Sequence, residues 1–307
     1  MTAIDIILPF FNGSKFFKEQ LDSILNNDVE NISLRLIIVN DASSSEETTF
    51  LKNILPPHCI YIENDKNLGV IKSVERGLET STAPYIMLCD QDDVWLPKKI
   101  KNSLNRILEI EGSAPALVYT DLVIVDSNLK TLHPSMHDFY KHNHQAVYPS
   151  ILFHNIVTGC TIIMNRKLIE VALPIPKEIT MHDHWIAICA VFAGKIALLD
   201  EATILYRQHG GNQIGAPSRF FLVRLSNLRV LFSRFSWRTE IKIKMASALA
   251  IRLHECHHPN ESLFVKKVVD ALTTKNFLFL IKNRIITGKL TRIIGQFILL
   301  IFNRHKA

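Results

Sequence analysis

The stretch Tyr85-Ile-Met-Leu-Cys-Asp-Gln-Asp-Asp-Val-Trp-Leu-Pro97 joins a predicted strand to a cluster of acidic residues. Its first five residues form an apolar run that predicts a buried strand, and Asp90, Asp92 and Asp93 follow it. Pro97 stands where the next helix is expected to begin. Carboxylates this close repel one another and are costly to bury, so a positive charge should offset them. Divalent Mg²⁺ or Mn²⁺ would suit these oxygen ligands; the alternative is a solvated acidic turn that caps the helix.

Around this stretch, predicted strands and helices alternate along the chain. The first strands are predicted at 3–8, 34–39, 59–62 and 85–89, with helices at 14–26, from about 46, and at 70–79. Later strands are predicted at 116–125, 161–164, 195–199 and 203–206, and the histidine-containing segment 133–148 is predicted to be a loop. The early strands are apolar on both faces. The sequence therefore predicts an α/β fold with a mostly parallel central sheet flanked by helices.

Polar turns follow the first four predicted strands. They contain Pro9 and Phe10, then Asp41, then Asn67, and finally Asp90. In open sheets of this kind, ligands bind beyond the carboxyl ends of the strands, so we expect these residues to lie at one edge. Such convergence favours a metal or ligand site over a solvated acidic turn.

Two phosphate-binding glycine patterns are missing from the sequence. There is no G-x-G-x-x-G after the first strand and no G-x-x-x-x-G-K-[ST], which argues against a dinucleotide-binding dehydrogenase and a P-loop enzyme. Phosphates would then have to be held by a metal ion and side chains, a task that suits the aspartate cluster.

Two later motifs contain further candidate residues. Asp183 lies at the predicted start of a helix in Met181-His-Asp-His-Trp185, where it could cap the helix or take a proton from a hydroxyl. Arg207 and His209 belong to a cationic, glycine-containing loop; either could contact a pyrophosphate, and His209 could instead ligate a metal. The alternative for this loop is a surface connection between domains.

The 307-residue chain is long enough for one or two domains, and its charge is uneven. Residues 1–215 have a net charge of −7, whereas 216–307 carry +13 in predicted helices that mix apolar and basic residues. Such helices are expected to lie on an anionic membrane surface or to pack on the rest of the protein. We expect no nucleic-acid partner, because no binding motif accompanies the charge.

Cysteines and apolar runs indicate the expected location. Five widely spaced cysteines without a C-x-x-C pair predict buried thiols in a reducing compartment. The N-terminus lacks the pattern of a signal peptide, and the run 293–302 is shorter than the roughly 20 residues that span a bilayer. These features predict a cytoplasmic protein, peripheral on the inner face of the cell membrane.

Six motifs in this order resemble the family 2 glycosyltransferases of the GT-A fold, over roughly residues 3–215. They are Pro9-Phe-Phe-Asn12, Asn40-Asp-Ala-Ser43, Asn67-Leu-Gly69, Asp90-Gln-Asp-Asp93, His182-Asp-His-Trp185 and Tyr206-Arg-Gln-His209. The aspartate motif and the Tyr-Arg-Gln-His-Gly-Gly-Asn ending are most similar to bacterial rhamnosyltransferases of cell-surface polysaccharide assembly.

The resemblance implies inverting transfer of a sugar from a nucleotide diphosphate to an acceptor hydroxyl. It implies nucleotide binding by Pro9, Phe10, Asp41, Asn67 and Asp90 and a divalent metal, Mn²⁺ or Mg²⁺, held by Asp92 and Asp93, with His209 as a further ligand. The remaining implied roles are Asp183 as catalytic base, and Arg207, His182 and Trp185 as phosphate or acceptor contacts. The family often has Glu where this chain has His182.

These features predict a catalytic domain at 1–215 and a basic helical region at 216–307 that docks a membrane or the acceptor. The expected donor is a dTDP- or UDP-sugar, with L-rhamnose favoured by resemblance, and the expected acceptor is a lipid-linked glycan. One alternative is a nucleotidyltransferase, although residues 9–13 lack the basic, glycine-rich loop that such enzymes usually carry. Another is a non-catalytic, membrane-associated scaffold with the same fold.

Overall fold

The computed structural model describes residues 1–141, 144, 147–209 and 228–285. The strands are β1 Thr2–Phe10, β2 Ile32–Asn40, β3 Ile60–Glu63, β4 Tyr85–Leu88, β5 Val94–Trp95, β6 Ala116–Val125, β7 Thr131–His133, β8 Ile163–Asn165 and β9 Lys195–Arg207. The helices are α1 Ser14–Leu25, α2 Ser45–Ile54, α3 Val70–Thr80, α4 Lys99–Glu111, α5 Met136–Tyr140, α6 Arg166–Ala172, α7 His182–Ala193, α8 Leu228–Glu255, α9 Pro259–Thr273 and α10 Phe277–Lys282.

These strands form one mixed sheet in the order β3-β2-β1-β4-β8-β6-β9-β5, with β7 paired to β6. The long pairings, β1 with β2 and β6 with β9, are parallel, as are β2 with β3 and β1 with β4. The antiparallel pairings of β8 and β5 span only two or three residues each. The predicted α/β fold with a mostly parallel sheet is therefore confirmed.

Apolar residues at successive positions of β1 pack on opposite faces of the sheet. Ile7 belongs to a core with α3, α6 and α7, whereas Ile6 and Leu8 belong to a core with α1 and α4. Helix α3 approaches β1 closely at Gly77, where an added Cβ would lie 2.4 Å from Ile7 Cγ2. Helices cover both faces, so the strands can be apolar on both sides.

The structure differs from the predicted elements in three places. The strands predicted at 195–199 and 203–206 are one strand, β9, whose pairing with β6 shifts register near Asp121. Such irregularities bend a strand without ending it, and the polar pair Asp200-Glu201 resembles a turn in sequence. The strand predicted at 161–164 is displaced to Ile163–Asn165, because Gly159–Thr161 forms a 3₁₀ turn.

The third difference lies in the segment predicted as the loop 133–148. It contains α5, because Asp121 Oδ1 accepts hydrogen bonds from the backbone N–H groups of Met136 and His137. The rings of His137 and His144 lie 4.2 Å apart, centroid to centroid. His142 lies outside the described residues.

The basic C-terminal helices pack on the sheet-covering helices. Leu249 and Leu253 of α8 and Val265 of α9 are fully buried in the core that contains α7. The Arg252 guanidinium donates to the carbonyl oxygens of Val171 and Leu173 at the end of α6. At least this side of the helical region is therefore a packing surface. None of the helices in the described ranges has the length and apolarity needed to cross a bilayer.

Candidate active site

A cavity of about 660 Å³ opens at the carboxyl ends of β1, β2 and β4. Eight of the predicted site residues contribute to its wall: Pro9, Phe10, Asp41, Asn67, Asp90, Asp92, His182 and Asp183. The opposite wall adds residues that were not singled out as site residues, among them Met136, Tyr140, Asn155, Thr158 and Gly159. The cavity therefore joins the ends of the parallel strands to the start of α7.

Asp41 is held by the loop that it helps to shape. Its Oδ1 accepts hydrogen bonds from Asn64 Nδ2 at 2.6 Å and Leu68 N at 2.8 Å, and its Oδ2 accepts one from Gly69 N at 2.8 Å. Gly69 has a φ of +83°, a conformation that favours glycine. Since a carboxylate has about four lone-pair directions, Asp41 can accept one more hydrogen bond from a ligand in the cavity.

Gln91, between the aspartates, ties their loop to the end of β1. Its Oε1 accepts from Phe11 N at 2.9 Å, and its Nε2 donates to Phe11 O at 3.2 Å. Gly13 makes room for it, because an added Cβ there would lie 2.3 Å from Gln91 Oε1. From sequence, the motif was interpreted only as a set of carboxylates. This role of Gln91 was therefore not predicted, although Gln91 stands within the motif.

Burial dominates the electrostatics of the aspartate cluster. It raises the pKa of Asp90 to about 7, with the negative charges of Asp92 and Asp183 adding to the effect. Burial also raises the pKa of Asp93 well above its usual range, and again neighbouring carboxylates contribute. The cluster therefore holds its negative charge poorly without a cation.

The donor atoms of this cluster fit a divalent cation. One oxygen each of Asp90 and Asp93 and the sulfur of Cys160 lie within 4.8 Å of one another. Asp93 is fully buried, and its Oδ2 has no hydrogen-bond partner among the described residues. Carboxylate oxygens suit Mg²⁺ or Mn²⁺. Cys160 comes close to these carboxylates through the turn before β8, which the sequence did not predict. Because burial raises the pKa of its thiol well above its usual range, Cys160 stays protonated, and the carboxylate oxygens are the ligands that would hold the cation.

His209 lies beside one of the predicted metal ligands. Its Nε2 is 2.7 Å from Asp92 Oδ2, and its ring packs on Phe16 with a centroid distance of 4.8 Å. In this arrangement His209 orients the Asp92 carboxylate. Direct ligation of a metal by His209 stays a prediction.

Arg207 does not reach the cavity where the sequence placed it. It is 2% exposed, its Nε donates to Asp92 O at 2.8 Å and its Nη1 to Ser127 O at 2.7 Å. Its Nη2 lies 2.5 Å from Glu19 Oε2. Because β9 continues to Arg207, its guanidinium points away from the cavity and contacts the residues that support the aspartate loop. The expected phosphate contact is therefore corrected to a structural one.

Trp185 is also placed differently from the expectation. Its side chain is fully buried in the core, and its indole Nε1 donates to Ala172 O at 2.8 Å. Trp185 lies two residues beyond Asp183 on α7, so it faces α6 when Asp183 faces the cavity. It fixes the position of α7 and is not among the residues that line the cavity.

Asp183 lies in the first turn of α7, on the cavity wall. Burial raises its pKa to about 6, while hydrogen bonds from the backbone of His184 and Gly159 and from the Asn155 side chain lower it. A carboxylate with this pKa is ionised at neutral pH yet basic enough to accept a proton. Asn155 and Gly159 thus support the candidate base, and only the tertiary structure brings them to it.

His182 also faces the cavity and is 6% exposed. Burial lowers its pKa to about 4, so the imidazole is neutral at physiological pH. Its Nδ1 has no hydrogen-bond partner among the described residues. It can therefore hydrogen-bond a neutral hydroxyl without bringing a charge into the cavity.

Comparison with known proteins places this geometry in a family. The sequence pattern of glycosyl transferase family 2 matches residues 5–171, which contain most of β1, all of β2 to β4 and the aspartate motif. An uncharacterized glycosyltransferase of Rickettsia prowazekii is 26% identical over 171 residues, covering 54% of this chain and 51% of that protein. The chain thus matches about half the length of that relative.

A second relative matches over more of its length. The dTDP-rhamnosyl transferase RfbG of Shigella flexneri is 27% identical over 263 residues, covering 78% of this chain and 83% of that protein.

Solved structures show the same fold at low identity. Residues 1–349 of TarS from S. aureus give a TM-score of 0.55 at 15% identity, covering 90% of this chain and 92% of that one. The mannosyltransferase PcManGT from Pyrobaculum calidifontis, solved with GDP-Man and Mn²⁺, gives a TM-score of 0.55 at 15% identity, covering 98% of this chain and 87% of that one. The GT-A fold is confirmed, and with the family pattern matched across more than half of its length, this chain belongs to glycosyl transferase family 2.

Proposed function

We propose that the protein is an inverting, metal-dependent glycosyltransferase that moves a sugar from a nucleotide diphosphate to a hydroxyl of a lipid-linked, cell-surface glycan. One observation carries this proposal: Asp183, Asp90 and Asp92 line the same cavity, and Asp183 lies close enough that its charge raises the pKa of Asp90. The proposed site for the leaving group and the candidate base, Asp183, therefore face the same cavity. L-rhamnose from a dTDP donor is the proposed sugar, supported by the similarity to RfbG.

The chain's own residues divide the work of transfer. Asp41 accepts a hydrogen bond from the base of the donor, which lies against Pro9 and Phe10, with Asn67 beside it. Asp90 meets the ribose and shares the divalent cation with Asp92 and Asp93. When bound there, Mn²⁺ or Mg²⁺ neutralises the charge that develops on the departing diphosphate.

Asp183 takes the proton from the acceptor hydroxyl as this oxygen attacks the anomeric carbon. The sugar–phosphate bond breaks on the opposite face, so a single displacement inverts the configuration. His182, neutral and facing the cavity, hydrogen-bonds the acceptor. The enclosing wall at Asn155–Gly159 limits the access of water to the donor.

The first test is a panel of dTDP-, UDP- and GDP-sugars with Mn²⁺, with and without a chelator. We expect turnover or slow hydrolysis of one donor class, lost on chelation. If no donor is turned over and no nucleotide binds in the presence of metal, the enzymatic proposal fails and the scaffold alternative stands. A nucleotidyltransferase would instead consume a sugar phosphate and a nucleoside triphosphate, which the same assay can include.

The basic helical region 216–307 is proposed to dock the protein on the cytoplasmic face of an anionic membrane. On its described surface, Leu278 of α10 is 82% exposed, and exposed Lys266, Lys267 and Lys282 lie on α9 and α10. Apolar tips among lysines match an anionic lipid interface. The predicted domain boundary at 215/216 and the run 293–302 lie outside the described residues.

Flotation of the full chain with vesicles tests membrane docking. We expect binding to vesicles that contain phosphatidylglycerol, loss of binding at high salt, and little binding to phosphatidylcholine alone. Removing 216–307 is a poor test, because it would uncover the α7 surface that α8 and α9 bury. Equal binding to both vesicle types would contradict the proposed electrostatic docking.

A further inference from the structure

The end of α6 is held by side chains from three other helices, α3, α7 and α8. The last carbonyl groups of a helix have no partner within it and need donors from elsewhere. Arg252 of α8 supplies them, because its Nη1 donates to Val171 O at 2.8 Å and also to Leu173 O. Its Nη2 donates to Pro174 O at 3.0 Å, so one guanidinium holds three carbonyl groups. The Arg252 side chain is only 12% exposed, so water competes little for these hydrogen bonds.

Helix α7 is tied to the same stretch, residues 171–175. The carbonyl oxygen of Ala172, which lies between those that Arg252 holds, accepts a hydrogen bond from Trp185 Nε1 at 2.8 Å. Ala172 and Trp185 are fully buried, so loss of this bond would leave a buried polar group without a partner. Trp185 follows Asp183 by two residues, and Asp183 lines the cavity. A displacement of 171–175 would therefore move the first turn of α7.

Helix α3 fixes the far end of this stretch. Glu75 Oε1 accepts a hydrogen bond from Ile175 N at 2.7 Å, and both residues are buried. Helix α3 begins directly after Gly69, whose N–H donates to Asp41. The stretch 171–175 thus links the basic helical region, the start of α7 and the helix that follows the Asp41 loop.

We propose that Arg252 is a positioning residue for the candidate base. It fixes the stretch 171–175, and through Trp185 this stretch sets where the start of α7 holds Asp183 in the cavity. Because Arg252 belongs to α8, the basic helical region completes the catalytic unit in addition to the membrane docking proposed above. The positioning of α7 depends on these hydrogen bonds, and its use in transfer rests on the proposed function.

Hydrogen exchange of the full chain, followed by mass spectrometry, tests the positioning without an activity assay. Arg252→Met keeps an unbranched side chain and removes every donor, and we expect exchange in peptides from 176–193 to become at least about threefold faster. Arg252→Lys has one nitrogen for three carbonyl groups, so it should show the same change to a smaller extent. Peptides from β1 and β2 should keep their rates. Arg106→Met, on an exposed α4 arginine paired with Glu109, is the matched control and should change no peptide.

The two Arg252 variants separate positioning from stability. Unchanged exchange at 176–193 in both variants would overturn the proposal. An equal acceleration in all peptides of Arg252→Lys would also overturn it, because that result indicates a loss of global stability. If Arg252→Met does not fold, Arg252→Lys decides the question, since it keeps the charge and most of the side-chain volume.

Steady-state kinetics with a donor that the parent uses tests the consequence for catalysis. Because a small displacement of a base is costly, we expect kcat for transfer to fall roughly tenfold in Arg252→Met, with the donor KM unchanged. Trp185→Phe, which removes the N–H that joins α7 to Ala172, should lower kcat in the same way. A kcat equal to that of the parent in both Arg252 variants would contradict the proposal. A parent that transfers no sugar would refute the proposed function, and the exchange experiment would still decide whether Arg252 positions α7.

Discussion

The two walls of the cavity are built in different ways. The wall at the ends of β1, β2 and β4 consists of short motifs, each directly after a parallel strand, and Asp41 there makes three hydrogen bonds to one loop. The opposite wall combines α5, the segment 155–159 and the start of α7. The first wall is an extension of the sheet, whereas the second is formed by a short helix, a loop segment and the start of another helix, which lie outside the sheet. We infer that the first wall, called the donor wall below, binds the nucleotide diphosphate that is common to all donors. The second, called the acceptor wall, adapts to the acceptor.

The largest expected effect separates the chemistry of the two walls. Asp183→Asn removes the candidate base while leaving the donor wall intact, so we expect transfer to fall by roughly 10²–10⁴-fold with little change in donor affinity. Steady-state kinetics and nucleotide binding by calorimetry measure the two quantities.

Asp270→Asn, an exposed acidic residue on α9, is the control for loss of a carboxylate. Equal transfer rates for Asp183→Asn and the parent would remove Asp183 as the base. Loss of donor binding would instead place it on the donor wall.

Asp41→Asn should affect the donor wall alone. The amide NH₂ would face the N–H groups of Leu68 or Gly69, and the charge-assisted hydrogen bonds to this loop would be lost. We expect the KM for the donor to rise about 10–100-fold, with the KM for the acceptor unchanged. A rise in the acceptor KM of similar size would show that the walls are not separable.

The pH dependence of transfer should show the ionisation of Asp183, which lies on the acceptor wall. Because Asp183 must be ionised to accept a proton and its pKa is raised to about 6, activity should increase with pH through about 6 and level off above it. Below that value the rate should fall roughly tenfold per pH unit. In Asp183→Asn this step should disappear; a profile unchanged in the variant would assign the titration to another group.

The smallest expected effect concerns the fit of the acceptor wall. A Cβ at Gly159 would lie 3.0 Å from His182 Nε2, so Gly159→Ala should displace the imidazole by a few tenths of an ångström. We expect the acceptor KM to rise several-fold and the donor KM to stay constant. Gly112→Ala, at a helix end away from the cavity, is a control for glycine substitution as such, although its φ of +53° carries some strain of its own. A changed donor KM in Gly159→Ala would contradict the division of the cavity.

Local sequence patterns were sufficient for the parallel strands β1 to β4 and for the donor wall. Apolar runs followed by polar turns predicted β1 to β4, and Asp41, Asn67 and Asp90 lie on the cavity as expected. Side-chain direction could not be predicted at the ends of long elements. Arg207 is the last residue of β9, and its guanidinium donates to the backbone of the aspartate loop. Trp185 lies on the side of α7 that faces the core.

By itself, the sequence determined the order of strands and helices, the rim on which the aspartates lie, and the family. These features depend on periodicity and on residues close together in the chain. Only the tertiary structure decided which distant groups meet: Asn155 and Gly159 at Asp183, Cys160 at Asp90 and Asp93, and α8 and α9 on α7. Such contacts depend on how whole elements pack against one another, which local sequence patterns do not specify.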